Sequence, residues 1–428
     1  MKLSTVIGLA GMLVASASAK KVRDDDVGYF WHFTDTHISP SYVAGSDPNA
    51  RCYWGTGSAG KYGHYYCDSP VLLLNTAIEG MIKRVGEPDF ILYGGDHVSM
   101  PDPALSLEMT VDRLRNITDY LRTFQKAHPN TKVFPVVGNH DVYPQFQFAE
   151  QGPFYVYSEV ARLWEPFVGA EAAKTLNHSA YYTVPIAPGL RLIALNTPII
   201  YSGNGQVSTA IEDPAGQFAW LRGVLESAKQ AGERVIVTSH IPPGLDEFDH
   251  AIGFHNEFDD RYVRAFDGYN DIVVGSFYGH NHLESFRILK DVSSENAHVM
   301  FLTSSVTPSI NVNPSVTMYK YKKTFPFTIL DRIPIYVDIV ATDKAQGVLK
   351  WVETQSEAEE YGIEDMGVEN IKKFIARLED DDALFQKFFN RLHLYFQGNG
   401  CDETCKKKIL CVVNNIYNVK AFECINQY

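Results

Sequence analysis

The chain has 428 residues, 45% of them hydrophobic and 21% charged, which allows a large globular core. Its formal net charge of −13 excludes a nucleic-acid polymer as a general partner, because such a backbone is held by clustered Lys and Arg. A small phosphate ester stays open where a metal supplies local positive charge.

The N-terminus comes first. Lys2, the apolar run "LSTVIGLAGMLVA" and the small residues "ASASA" read as a signal peptide over residues 1–19, with cleavage before Lys20. That run is too short for a comfortable membrane span, and no later stretch approaches about 18 apolar residues. Peripheral contact is the one lipid association left open. The ending "CINQY" lacks the hydrophobic tail of a GPI signal. Export agrees with six cysteines, an even number that falls into a pair and a group of four. Local pairing gives Cys52–Cys67. In the tail, Cys401–Cys405 with Cys411–Cys424 is favoured among the pairings the spacing permits. A zinc knuckle there is disfavoured by the absence of His and of C-x2-C. Asn116 and Asn177 head N-x-S/T sequons and become glycan sites in an exported chain. The expected destination is the extracellular space or the lysosomal lumen.

Further along, short apolar runs read as buried strands: "YFWHFTD" (29–35), "FILYGGD" (90–96), "VFPVVGN" (133–139), "LRLIALN" (190–196), "RVIVTSH" (234–240), "DIVVGSFYGH" (271–280), "VMFLTSS" (299–305) and "IPIYVDIV" (333–340). Helical spacing lies between many of them, over 72–85, 110–127 and 217–230. Strand–helix alternation predicts an α/β domain over 20–360. From 361 to 428 the pattern turns helical, with Ile371, Phe374, Ile375 and Leu378 on one face. "EDDD" at 379–382 reads as a solvated face or a helix break.

Five strand runs end in a potential metal ligand: Asp35, Asp96, Asn139, His240 and His280. Ligands of open α/β sheets gather beyond the carboxyl ends of strands. His37 and His282 join them through D-x-H and H-x-H, whose alternation predicts both side chains on one side of a strand end. Histidine nitrogen with carboxylate oxygen suits zinc, manganese or iron. Asp96 is the natural bridge between two ions, which would clamp a phosphate and hold a hydroxide between them. Tyr143 and Phe277 are candidates to border a substrate.

The order D-x-H, G-D, G-N-H-D, H, G-H-x-H resembles the calcineurin-like metallophosphoesterases. "CDSP", "VFPVVGNHDVYPQ", "LNT", "DPAGQFAWL", "FYGHNH" and the tail "CDETCKKKILC" extend the likeness to the acid sphingomyelinase-like phosphodiesterases, from about Val27 to the end. The resemblance implies two central mixed β-sheets flanked by helices, with a small helical, disulfide-stapled C-terminal region. It implies one metal on Asp35, His37, Asp96 and His282, and a second on Asp96, Asn139, His240 and His280, zinc being the expected ion. His140 would protonate the leaving oxygen, with Asp141 orienting its ring. A second active-site histidine commonly follows the bridging aspartate by several residues. Met100 stands there, leaving His97 as the candidate. A purple acid phosphatase would need a tyrosine where Ser99 lies. A binding protein with a vestigial site would have lost ligands, and all seven are present. The implied activity is hydrolysis of phosphodiester or pyrophosphate bonds in nucleotides and choline-type esters, by a monomer. Only about 15 residues, none of them cysteine, precede Asp35 after cleavage, so the saposin domain of acid sphingomyelinase itself is not expected.

Overall fold

A computed structural model describes residues 26–84, 86–344 and 347–428. The expected signal peptide lies outside the described residues. Among the described residues, twelve strands form two six-stranded sheets. In chain order they are β1 (Val27–Phe33), β2 (Phe90–Tyr93), β3 (Lys132–Pro135), β4 (Tyr182–Ala187), β5 (Leu190–Ala194), β6 (Arg234–Thr238), β7 (Val273–Tyr278), β8 (Ser285–Lys290), β9 (Ala297–Leu302), β10 (Ser315–Lys322), β11 (Ile329–Tyr336) and β12 (Val352–Glu353). The first sheet runs β12-β11-β10-β1-β2-β3, and the second β4-β5-β6-β7-β9-β8. β1, β2 and β3 are parallel, as are β5, β6, β7 and β9; the remaining pairs are antiparallel.

The parallel strands are buried on both faces, which is why they read as unbroken apolar runs. Alternation within β1 sends Phe30 inward between the sheets and Trp31 and Phe33 outward. Phe30 stacks on Phe90 at 4.4 Å and on Tyr319 at 4.9 Å, and meets Phe277 of the opposite sheet edge-on at 5.3 Å. Trp31 and Phe33 share a cluster with Leu74, Ile78, Leu121 and Phe124, from the helices Val71–Arg84 and Leu107–Ala127. The second helix is capped by Ser106, whose Oγ accepts from Met109 N–H at 3.1 Å.

The C-terminal helices share the main core. Phe286 of β8 packs against Phe374 at 5.5 Å and Phe388 at 5.6 Å, in the helices Val368–Asp380 and Asp382–Leu392. The "EDDD" stretch is the break between these helices, Asp381 accepting from Leu384 N–H at 2.9 Å. Disulfides join Cys52–Cys67, Cys401–Cys405 and Cys411–Cys424, which excludes a zinc knuckle in the tail. No helix among the described residues is long and apolar enough to cross a membrane.

Candidate metal centre

The seven expected ligands lie just beyond the carboxyl ends of β1, β2, β3, β6 and β7. The backbone there is not strand. Asp35 (φ 51°), His37 (36°), Asp96 (54°), His280 (71°) and His282 (60°) all adopt the left-handed conformation that non-glycine residues seldom hold. This corrects the expectation that strand alternation aligns D-x-H and H-x-H: β1 stops at Phe33 and β7 at Tyr278, so the pairs are aimed by turns. Close approach of these turns requires glycine. A Cβ on Gly138 would sit 2.0 Å from Asp96 Oδ1, and one on Gly279 would sit 2.4 Å from Asp35 Oδ2.

The turns converge on two groups, Asp35–His37–His282 and Asp96–His240–His280, each with ligand atoms within 4.8 Å of one another. One oxygen, Asp96 Oδ2, faces both, at 3.6 Å from His37 Nε2 and 3.1 Å from His240 Nε2. Asp96 Oδ1 is used otherwise, accepting the His140 backbone N–H at 2.7 Å. Asp35 Oδ1 lies 3.2 Å from His282 Nε2. Main-chain carbonyls orient two rings: His37 Nδ1 donates to Val98 O (2.8 Å) and His240 Nδ1 to Gly94 O (2.7 Å), leaving each Nε2 turned inward.

Several inward atoms lack hydrogen-bond partners although they are buried: Asp35 Oδ1, Asn139 Oδ1 and His240 Nε2. Buried polar atoms are rarely left so, and a pair of divalent ions fits this donor set. Electrostatics agrees. Burial alone would raise Asp35 and Asp96, yet the surrounding histidines hold both carboxyls well below their usual range. Burial opposes charge on His37 and His240, but the carboxylates pull them up to about 10 and about 9. Burial drives His280 down to about 3. The pocket therefore keeps two ionised carboxylates and demands positive charge, which metals would supply while displacing protons.

Aromatic rings enclose the two groups. His282 and His37 are 5.2 Å apart, His37 and His140 5.0 Å, His140 and Phe146 4.8 Å. The series continues through Phe146–Tyr201 at 5.7 Å, Tyr201–His280 at 5.3 Å and His280–His240 at 5.3 Å.

Comparison with known proteins supplies the family. The calcineurin-like phosphoesterase profile matches residues 28–284, and that of the acid sphingomyelin phosphodiesterase C-terminal region matches 290–428. The chain belongs to the calcineurin-like phosphoesterases. It is 32% identical over 420 residues to sphingomyelinase phosphodiesterase C of Dictyostelium discoideum, covering 93% of this chain and 92% of that one. It is 30% identical to human acid sphingomyelinase-like phosphodiesterase 3b, covering 91% and 88%. It is 31% identical to the human cyclic GMP-AMP phosphodiesterase SMPDL3A, covering 97% and 94%. These place it among the acid sphingomyelinase-like phosphodiesterases, which are phosphoric diester hydrolases.

Within this phosphoesterase, four expectations need correction. His97 is turned away from the metal groups: Nε2 donates to Asn116 Oδ1 at 3.1 Å and Nδ1 accepts the Thr36 hydroxyl at 2.6 Å. Buried, with both ring nitrogens hydrogen bonded, it has no nitrogen left to offer a substrate. Asp141 does not orient His140. Its carboxylate accepts four backbone N–H groups, from Gly138 (2.9 Å), Asp96 (2.9 Å), His97 (2.8 Å) and Val98 (3.1 Å), and so ties the G-N-H-D turn to the G-D turn. Phe277 lies in the core, stacked on Phe301 at 5.2 Å, and Tyr143 faces solvent beside Tyr155. The rings that border the site are Phe146 and Tyr201, which sequence reasoning missed. Proximity of Phe146 to the G-N-H-D motif was the available signal for the first. Of the sequons, Asn177 is exposed, whereas Asn116 is half-buried against His97.

Proposed function

We propose that this phosphoesterase is an exported enzyme, extracellular or lysosomal, that cleaves phosphodiester or pyrophosphate bonds of small substrates. Nucleotides are favoured, with choline-type head-group esters next. The observation that carries the reading is one carboxylate oxygen, Asp96 Oδ2, set between two ligand groups with the His140 ring alongside. Asp35, His37, Asp96 and His282 would hold one zinc ion, and Asp96, Asn139, His240 and His280 the other. Two such ions, when bound, supply an activated water and offset charge developing on the phosphoryl oxygens.

The protein's own groups do the rest. Asn139 offers a neutral oxygen, which limits the negative charge facing an anionic substrate. His140 stands beside the groups with Nδ1 buried and unpartnered, and burial lowers its ring to about 4, so it would serve a leaving oxygen as a neutral imidazole N–H donor. Asp96 Oδ1 accepts the His140 backbone N–H and so fixes the main chain of that residue beside the shared carboxylate. Asp141 locks both turns through its four amides. Three disulfides support export.

The test is hydrolysis by purified zinc-loaded protein at pH 5 and pH 7, with and without chelator. ATP, CDP-choline, bis(p-nitrophenyl) phosphate and micellar sphingomyelin would be offered side by side. Chelator-sensitive cleavage of the nucleotides is expected. Efficient cleavage of sphingomyelin with none of the nucleotides would overturn the substrate assignment, and no turnover by metal-loaded protein would overturn the enzyme reading.

A further inference from the structure

His393 is placed as a structural histidine would not be. It is 3% exposed, and neither ring nitrogen has a hydrogen-bond partner. No other histidine among the described residues has both nitrogens buried and unpartnered. Burial lowers the ring to about 4, against the pull of the Phe389 carbonyl, which closes no hydrogen bond to it. The ring is therefore neutral, with one N–H and one lone pair to offer. Buried polar atoms are rarely left so.

His393 lines a cavity of about 520 Å³, within the range of small-molecule sites, about 300–1,000 Å³. None of the seven metal ligands lines it. Its walls come from the segments matched by both family profiles. Glu247 and Phe248 belong to the loop after His240, Phe389 and His393 to the end of the helix Asp382–Leu392, and Asp402 and Lys408 to the helix Glu403–Asn414 and its cap. Phe248, 53% exposed, meets the His393 ring at 5.9 Å, and Phe389 meets it at 5.1 Å. The charges cancel. Glu247 Oε1 lies 2.9 Å from Arg287 Nη2, and Oε2 accepts from Asn281 at 3.0 Å. Asp402 accepts the Cys405 N–H at 2.8 Å, and Lys408 brings the opposite charge to the same cavity.

We propose that this cavity binds a small uncharged polyol with the chemistry of a hexose. The site is distinct from the metal centre and does not rest on the phosphodiesterase reading. A cation would seek an unmatched carboxylate and an anion an unmatched base, and the wall holds neither in excess. A hydroxyl both donates and accepts, which is what a neutral imidazole requires. Phe248 and Phe389 supply apolar surface for the C–H face of a sugar ring, beside a few polar groups that fix its orientation.

The experiment titrates the full chain with methyl glucoside, maltose and N-acetylglucosamine, and with choline chloride and inorganic phosphate beside them. Calorimetry and saturation-transfer NMR read the binding. At least one sugar should bind, and equally to metal-loaded and chelator-treated protein, which separates the cavity from the metal centre. His393→Phe keeps a ring and removes both nitrogens. Those nitrogens hold nothing in the fold, so its denaturant midpoint should be no lower than that of wild type. Its affinity for the sugar should fall about tenfold, the scale of the hydrogen bonds removed. Phe248→Ala alters an exposed side chain, keeps the fold and should weaken the sugar by a similar factor.

Three results would overturn the proposal. No sugar binds; or choline or phosphate binds in preference, with that binding lost in both variants; or a sugar binds as tightly to the variants as to wild type. Where His393→Phe fails to fold, Phe248→Ala decides alone: full sugar affinity in that variant removes the site, and a tenfold loss keeps it. Turnover enters none of these readings, so the phosphodiesterase assignment stands or falls separately.

Discussion

Around Arg332 the fold buries charge and satisfies it. The guanidinium donates to Glu357 through Nε and Nη2, and to the carbonyls of Ser285 and Leu302 through Nη1. Glu284 lies 3.3 Å from Nε and takes the Ser304 N–H at 2.9 Å. Around Asp96 the fold buries charge and leaves it wanting. Asp35 Oδ1, Asn139 Oδ1, His240 Nε2 and His282 Nδ1 have no hydrogen-bond partners, and five residues hold left-handed backbones. Both regions tie the sheets together, yet only around Arg332 are the charged groups all partnered within the chain. A buried polar atom without a partner costs about 1–3 kcal/mol. A fold that keeps several of them together, on strained backbone, is arranged for something that arrives from outside.

The comparison breaks most decisively at Asp96. Asp96→Asn should remove the shared negative oxygen, lower the occupancy of both metals and cut turnover by roughly 10³-fold or more, since metals supply several kcal/mol to the transition state. Elemental analysis beside rate measurement checks this; retention of two metals per chain would end the bridging assignment. His140→Ala should lose about 10²- to 10⁴-fold in turnover while keeping both metals. Loss of both metals there would make His140 structural. Asn139→Ala and His240→Ala should weaken the second metal alone. The Arg332 cluster should respond in the opposite sense. Glu357→Gln leaves a buried cation short of its partner and should destabilise the fold by about 3–5 kcal/mol. Turnover per folded molecule should hold, as urea unfolding paired with active-site titration would show.

The two regions were also unequally legible in the sequence. Every strand run that delivers a ligand was visible, because parallel strands buried on both faces must be apolar throughout. The candidate ligands stood out because five of the seven end such a run, and His37 and His282 sit two residues beyond two of those five. β4, β8, β10 and β12 escaped notice. β4 carries the exposed Pro185, tolerable at a sheet edge, and β10 mixes Thr and Lys into its length. The orientation of His37 and His240 was out of reach, since it depends on carbonyls of Val98 and Gly94, and main-chain atoms carry no residue identity. His97 and His140 each adjoin a ligand and look alike in sequence. Asn116, on a helix beginning ten residues beyond His97, decides between them by claiming the first. Arg332, Glu284 and Glu357 gave no signal at all, because a satisfied buried network needs only tertiary proximity.

Asp259 sits between the two kinds of region. Its Oδ2 accepts the Asn418 N–H at 2.9 Å, while Oδ1 is buried without a partner. It therefore links the helix Asn256–Ala265 to the start of the last helix, Asn418–Ile425. Burial raises its carboxyl to about 7, against the pull of the Asn418 amide and of Arg287. An aspartate in the unfolded chain ionises near 4. Between those values the folded protein holds a proton that the unfolded chain has released. The resulting stabilisation is full below about pH 4 and is lost as pH rises through about 7, at no more than roughly 1.4 kcal/mol per pH unit. Asp259→Asn mimics the protonated carboxyl and should remove that share of the slope, so the variant gains on wild type as pH rises from 5 to 7. Denaturant midpoints for both proteins across that range decide the matter. Parallel curves would mean that Asp259 is already ionised in the fold, its orphan oxygen met by something other than a proton.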